Sequence, residues 1–112
     1  MTDSLPCYTS VLVDDDLQLA SYLIVDVREP SEHHSRPSPA GAISLPLSEL
    51  REDPIATLAA CSQLSKAKPI LCVCKGGVRS ALAAEILHAH GVGPLYNLEG
   101  GLLAYDAFSH DA

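Results

Sequence analysis

Four short apolar runs punctuate the chain: Ser21–Val27 (Ser-Tyr-Leu-Ile-Val-Asp-Val), Ala42–Leu45, Ile70–Val73 and Pro94–Leu98. Their apolar side chains sit at adjacent rather than strictly alternate positions, the pattern of strands covered on both faces. Between them the period changes. Ile55, Leu58, Ala59 and Leu64 recur near helical spacing behind Asp53, a good N-cap, and Pro54, suited to a first helical position. Lys66 to Pro69 is expected to end that helix. A second helix is predicted from Val78 to His90, stopped at Gly91. Ala81, Leu82, Ala83, Ile86, Leu87 and Ala89 make it apolar on most sides, as burial against a sheet requires. Glu99-Gly100-Gly101 reads as a turn and Leu102 to Phe108 as a closing helix. Pro30 to Pro39, rich in Pro, Ser, His and Arg, reads as an irregular loop. Tyr8 to Leu19 gives no clear period.

Short buried strands alternating with helices imply right-handed crossovers and a central parallel sheet with helices on both faces, an α/β fold of three layers. The 112 residues, 47% of them hydrophobic, suit a single domain spanning 1–112. Its core is expected at about 21–108, with a polar, frayed tail at 109–112. Ligands of such sheets sit at the carboxyl ends of strands. Cys74 follows one such end directly.

Charge narrows the partners. A formal net charge of −7 argues against nucleic acid or an anionic membrane as a partner of the whole surface. An anionic ligand must then be met by local cations. No apolar run approaches the roughly 20 residues of a membrane span, and Met1-Thr2-Asp3-Ser4 does not begin a leader, so a cytoplasmic protein is expected. Cys7, Cys61, Cys72 and Cys74 match neither a disulfide framework nor zinc-ligand spacing. Reduced thiols are expected, with no metal and no cofactor.

The chemistry concentrates in Cys74-Lys75-Gly76-Gly77-Val78-Arg79-Ser80. A thiol after a buried strand, followed by two glycines and a helix start, can be ringed by backbone N–H groups, because glycine adopts positive φ readily. The helix N-terminus, Lys75 and Arg79 add positive charge, so thiolate is favoured over thiol. The same ring suits the outer sulfur of a persulfide, with the Ser80 hydroxyl as a further donor, and Arg79 is placed to draw in an anionic sulfur donor. An isolated cysteine is ordinarily a buried structural residue; its neighbours reverse that reading here.

The chain resembles the rhodanese family in four motifs in the family's order: Asp26-Val27-Arg28-Glu29-Pro30, Gly41-Ala42-Ile43, Cys74 to Ser80, and Asn97-Leu98-Glu99-Gly100-Gly101. The resemblance covers about Leu23 to Phe108. It implies the rhodanese-like α/β domain and a sulfurtransferase that passes sulfane sulfur from a small anionic donor such as thiosulfate to a thiophilic acceptor through a Cys74 persulfide. Four residues separate Cys74 from Arg79, as in rhodanese-like sulfurtransferases; related dual-specificity phosphatases have one more. Three alternatives stay open. The chain resembles rhodanese-like domains of adenylating enzymes that thiolate ubiquitin-like sulfur carriers, which would make a protein its acceptor. It is also compatible with a non-catalytic partner-binding module, and less well with a phosphatase or arsenate reductase.

The remaining residues read more plainly. Asp26 and Arg28 are expected to support the site structurally, since buried charges need partners. Glu32, His33 and His34 have a substrate-facing alternative, but adjacent histidines in such a loop read as solvated. Ser35 to Ala40 departs from the family's Gly-His-Ile-Pro lead into Gly-Ala, which leaves the rim of the site undefined. Cys72 reads as core rather than a resolving thiol, Cys61 and Cys7 as bystanders, and Tyr105 as packing where many relatives carry Trp.

Overall fold

A computed structural model of the chain describes residues 7–65 and 68–111. Its strands are β1 (Thr9–Val11), β2 (Leu23–Asp26), β3 (Ile43–Ser44), β4 (Ile70–Val73) and β5 (Leu95–Leu98); its α-helices are α1 (Leu47–Glu52), α2 (Pro54–Ala59), α3 (Val78–Ala89) and α4 (Gly101–Asp111). All strand pairs are parallel, in the order β1-β5-β4-β2-β3. β4 is therefore central, and all four of its residues are buried.

Side chains along β4 alternate between two apolar layers, each helix-covered. Ile70 and Cys72 join Leu47 and Leu50 of α1 and Ala83, Ala84 and Leu87 of α3. Leu71 and Val73 join Ile24, Leu98 and Leu102, with Tyr22, Tyr96 and Tyr105 packed against them. Helices thus cover both faces, and the expected three-layer α/β fold is what the chain adopts. Tyr105 packs as expected, half-buried on the α4 side.

Departures from the sequence expectation have local causes. α1 follows Pro46, which reads as a strand stop but stands at the helix N-cap; six residues with only Leu47 and Leu50 buried are too few to show a period. Asp53 does cap α2, its Oδ1 accepting the Ala56 N–H at 3.1 Å. α2 ends at Ala59, short of the expected Leu64, and a 3-10 turn at Ser62–Ser65 takes over; Ile55, read as apolar periodicity, is 73% exposed. The expected stop at Lys66–Pro69 lies partly outside the described residues. α4 runs on through Asp111, so Ser109 to Asp111 is helical rather than a frayed tail; Ala112 lies outside the described residues. β1 has three residues on the sheet edge, none of them buried, and so leaves no apolar run to detect. No helix among the described residues is long and apolar enough to cross a membrane.

The turn between β5 and α4 docks directly on the residues after β4. Leu102 N–H donates to the Cys74 carbonyl at 2.9 Å and Leu103 N–H to the Lys75 carbonyl at 3.1 Å. Gly101 sits between them at φ +64°, and a Cβ there would overlap both carbonyls. Only glycine fits that crossing. Gly101→Ala should therefore cost about 3 kcal/mol or more in urea denaturation. Gly91→Ala, at φ +79° but with open space around it, should cost roughly 1 kcal/mol, the backbone penalty alone. Equal losses would show that the close approach is unimportant.

Candidate functional site

Cys74 leaves β4 with its side chain turned inward, and the residue is 1% exposed. Its Sγ accepts the Gly77 N–H at 3.0 Å and the Ser80 N–H at 3.3 Å, with Ser80 Oγ also at 3.3 Å. Gly77 is the N-cap of α3 and offers no side chain to it. The first N–H groups of a helix lack intrahelical partners, and here the sulfur takes the place a capping oxygen usually fills. The positive end of the helix thus faces the thiol. Of the two loop glycines, Gly77 takes the positive φ that glycine allows, at +98°. A Cβ on Gly77 would sit 3.1 Å from Gly100 N and 3.2 Å from Leu98 O, whereas Gly76 has ordinary backbone and open space.

A buried amide braces the loop. Asn97 on β5, paired in register with Cys72, donates through Nδ2 to the Gly77 carbonyl at 3.0 Å and receives the Ser80 hydroxyl on Oδ1 at 2.5 Å. A hydroxyl has one proton, so Ser80 serves either Asn97 or Cys74, and the shorter contact is to Asn97. The two backbone N–H groups are the constant donors to sulfur. Asn97 stands in a motif the sequence singled out, but its bracing role depends on long-range pairing that the sequence does not display.

Around the loop, charges are paired. Arg79 does not point freely at a ligand: its Nη1 and Nη2 form a two-pronged ion pair with Glu32 at 2.7 and 2.8 Å. Hydrogen bonds from Arg79 hold the Glu32 carboxyl down at about 2, against the opposing effect of burial. Glu32 is thus a partner of the loop. Asp26 and Arg28 are both fully buried. Arg28 binds Asp26 through Nη2 at 2.8 Å and Nε at 3.1 Å, and reaches the Glu32 carbonyl through Nη1 at 3.3 Å. Burial by itself would raise the Asp26 carboxyl, but hydrogen bonds from Arg28 and Ser38 outweigh it and leave the group below its ordinary range. These contacts fit the supporting role expected of the pair.

The unusual segment Ser35 to Ala40 is anchored rather than loose. Ser38 Oγ donates to Asp26 Oδ2 at 2.6 Å, and Arg36 Nε meets Asp106 Oδ2 of α4 at 2.7 Å. His34 is exposed, as expected. His33, expected to be solvated, is instead half-buried, with Nε2 at 3.7 Å from Asp26 Oδ2. Beside the loop lies a cleft of about 350 Å³ lined by Arg28, Glu32, Ser35, Arg36, Lys75 and Leu103.

The other thiols stay apart from this ring. Cys72 is fully buried on the same core face as Cys74, and burial, with Cys74's charge adding to it, pushes its thiol up to about 12. A thiol so raised is a poor nucleophile, as a core assignment requires. Cys7 and Cys61 are half-buried and unbridged. Among the described residues no group of His, Cys, Asp and Glu is placed to hold a metal ion.

Comparison with known proteins agrees with the geometry. The model of the Rhodanese-like domain family matches residues 11–108. A rhodanese-related protein from Thermoplasma volcanium is 33% identical, with a TM-score of 0.71 over 89% of this chain and 92% of that one. A Rhodopseudomonas palustris protein described as a possible tyrosine phosphatase is 30% identical, with a TM-score of 0.70 over 80% of this chain and 69% of that one. A NAD-dependent persulfide reductase from A. fulgidus is also 30% identical, with a TM-score of 0.63 over 88% of this chain, which spans 16% of that protein. No curated protein sequence matches.

Two measurements test this architecture. Glu32 is depressed to about 2 from 4.5 in the folded chain, so its contribution is full above the unfolded value and disappears as pH falls through the folded one. Wild type should be more stable than Glu32→Gln at pH 7, and urea midpoints should converge between about pH 4.5 and 2. Asn97→Leu strands the Gly77 carbonyl and the Ser80 hydroxyl and should cost about 2–4 kcal/mol, Ser80→Ala about 1. Because they share one contact, the double variant should lose less than the sum; strict additivity would refute the brace.

Proposed function

We propose, from the premise that this chain belongs to the Rhodanese-like domain family, that it is a sulfurtransferase carrying sulfane sulfur as a persulfide on Cys74. The observation that carries the reading is the set of N–H donors aimed at Cys74 Sγ from Gly77 and Ser80 at a helix N-terminus. Lys75, Gly76, Val78 and Arg79 complete the substrate-binding loop.

The reaction is a double displacement. Cys74 thiolate attacks the outer sulfur of a small anionic donor such as thiosulfate. A new S–S bond forms, the donor's own S–S bond breaks, and sulfite leaves with the electron pair. The persulfide's terminal sulfur carries the negative charge, which suits a ring of fixed donors. A thiophilic acceptor then attacks that sulfur, and Cys74 leaves as thiolate. Neither step requires a metal or a cofactor. The acceptor is a small nucleophile or a protein thiolate; a ubiquitin-like sulfur carrier is one protein acceptor of this kind.

A second reading draws support from burial of the Cys74 side chain and from Val78, 74% exposed at the rim. These suit a non-catalytic module that binds a partner through the loop face. Phosphatase chemistry is disfavoured by the four-residue spacing between Cys74 and Arg79.

One assay separates them. After thiosulfate treatment, mass spectrometry should find one added sulfur atom on Cys74, and thiocyanate formation from cyanide should fall to background in Cys74→Ser while persisting in Cys72→Ala. Turnover retained in Cys74→Ser would refute the reading. An unmodified Cys74 with no turnover would favour the binding module.

A further inference from the structure

Four cations surround the loop of an otherwise acidic chain, and they are not equivalent. Arg28 is buried and spends its donors on Asp26 and the Glu32 carbonyl. Arg79 is held by both oxygens of Glu32. Neither has a free face for an incoming anion. Lys75 is exposed and has no ion-pair or hydrogen-bond partner for its ammonium among the described residues. Arg36 forms an ion pair with Asp106, Nε to Oδ2 at 2.7 Å, and its terminal nitrogens donate no hydrogen bond to a described residue. Both line the cleft beside the loop.

We propose that this cleft is a carboxylate-recognition subsite for the sulfur acceptor, with Arg36 as the residue that sets specificity and Lys75 as its second cation. The proposal rests on the sulfurtransferase reading above and names the acceptor class: a short-chain organic thiol bearing a carboxylate.

Three features converge on that class. A guanidinium is planar, and its two terminal nitrogens match a carboxylate's two oxygens. The Arg36–Asp106 ion pair, half-exposed on both sides, contributes little stability; its consequence is to keep the guanidinium at the cleft. Lys75 is held at its backbone by Leu103 N–H and directly follows Cys74 in the chain, so the cleft it lines is built onto the loop that carries the sulfur. The cleft's 350 Å³ is at the small end of ligand pockets. That volume exceeds what a lone oxyanion occupies and leaves room for a short carbon chain against the apolar wall of Leu103.

In the transfer, the acceptor thiolate attacks the terminal sulfur of the Cys74 persulfide. The acceptor's new S–S bond forms as the bond to Cys74 Sγ breaks. The acceptor leaves as a carboxylate-bearing persulfide and Cys74 returns as thiolate, with no net oxidation or reduction.

Single-turnover discharge tests the idea. Wild type loaded with sulfur is discharged by mercaptoacetate, 2-mercaptoethanol and cysteamine at equal thiolate concentration, so that intrinsic thiol acidity does not set the order. The mercaptoacetate to 2-mercaptoethanol rate ratio should exceed the cysteamine ratio and fall about fivefold in Arg36→Gln, the size of one exposed charge contact. Arg36→Lys should keep part of the preference, and high salt should erode it in wild type. A binding readout runs in parallel: (methylthio)acetate, a carboxylate that cannot accept sulfur, should shift the NMR resonances of Arg36 Nε and the Lys75 amide in wild type, and in Arg36→Gln should shift the Lys75 amide only at about fivefold higher concentration. A ratio unchanged by Arg36→Gln, or absent shifts, would overturn the subsite while leaving persulfide formation intact. If Cys74 takes up no sulfur, the sulfurtransferase reading falls and the NMR titration still decides whether the cleft binds carboxylates.

Discussion

The hydrogen bonds from Leu102 and Leu103 to the carbonyls of Cys74 and Lys75 govern the direction of the loop's peptide groups. These bonds anchor the two peptide groups that link Cys74 to Lys75 and Lys75 to Gly76, immediately ahead of the Gly77 N–H that meets the sulfur. The start of the loop is therefore held from behind, by the first turn of α4. Gly101 permits the crossing because any side chain there would occupy the space of the carbonyls themselves. The buried thiol then finds Gly77 and Ser80 N–H groups already aimed at it, with no ordering left to be done when a charge appears on sulfur.

A second strut acts from the sheet. Asn97 sits on β5 beside the central strand and holds the Gly77 carbonyl. Gly77 is the residue whose left-handed backbone turns the chain into α3. Tension between the sheet side and the α4 side fixes the loop at both ends, which explains why Gly76, between them, can sit in open space without cost to the ring.

What could be read from the sequence follows from how far apart the contributing residues lie. The central strand, its glycines and α3 with its stop at Gly91 are local signals and emerge at the predicted positions. So does the Asp53 cap. By contrast, Arg79 and Glu32 are 47 positions apart, and no period in the chain announces that they meet. Arg79 was consequently expected to greet a ligand, and Glu32 to be a loop residue with a substrate-facing alternative. Asn97 was visible as part of a motif but silent about its partner 17 positions back. β1 and α1 were missed for a different reason: an edge strand with no buried residue and a helix with only two carry too little hydrophobic contrast to register.

The pairing of Arg28 with Asp26 and of Arg79 with Glu32 has a consequence for the sulfur. Had these guanidiniums faced Cys74 unpaired, the charge on sulfur would be held by full cations and its release would be penalised. Their carboxylate partners offset part of that field, and the contacts made directly to the sulfur are oriented, neutral donors. On the sulfurtransferase reading, thiolate and persulfide each carry one negative charge, and fixed dipoles treat the two states nearly alike. A carrier needs that balance, because binding one state much more tightly would slow either loading or discharge. Discrimination between partners is then left to residues outside the ring, where the cations not committed to the loop are found.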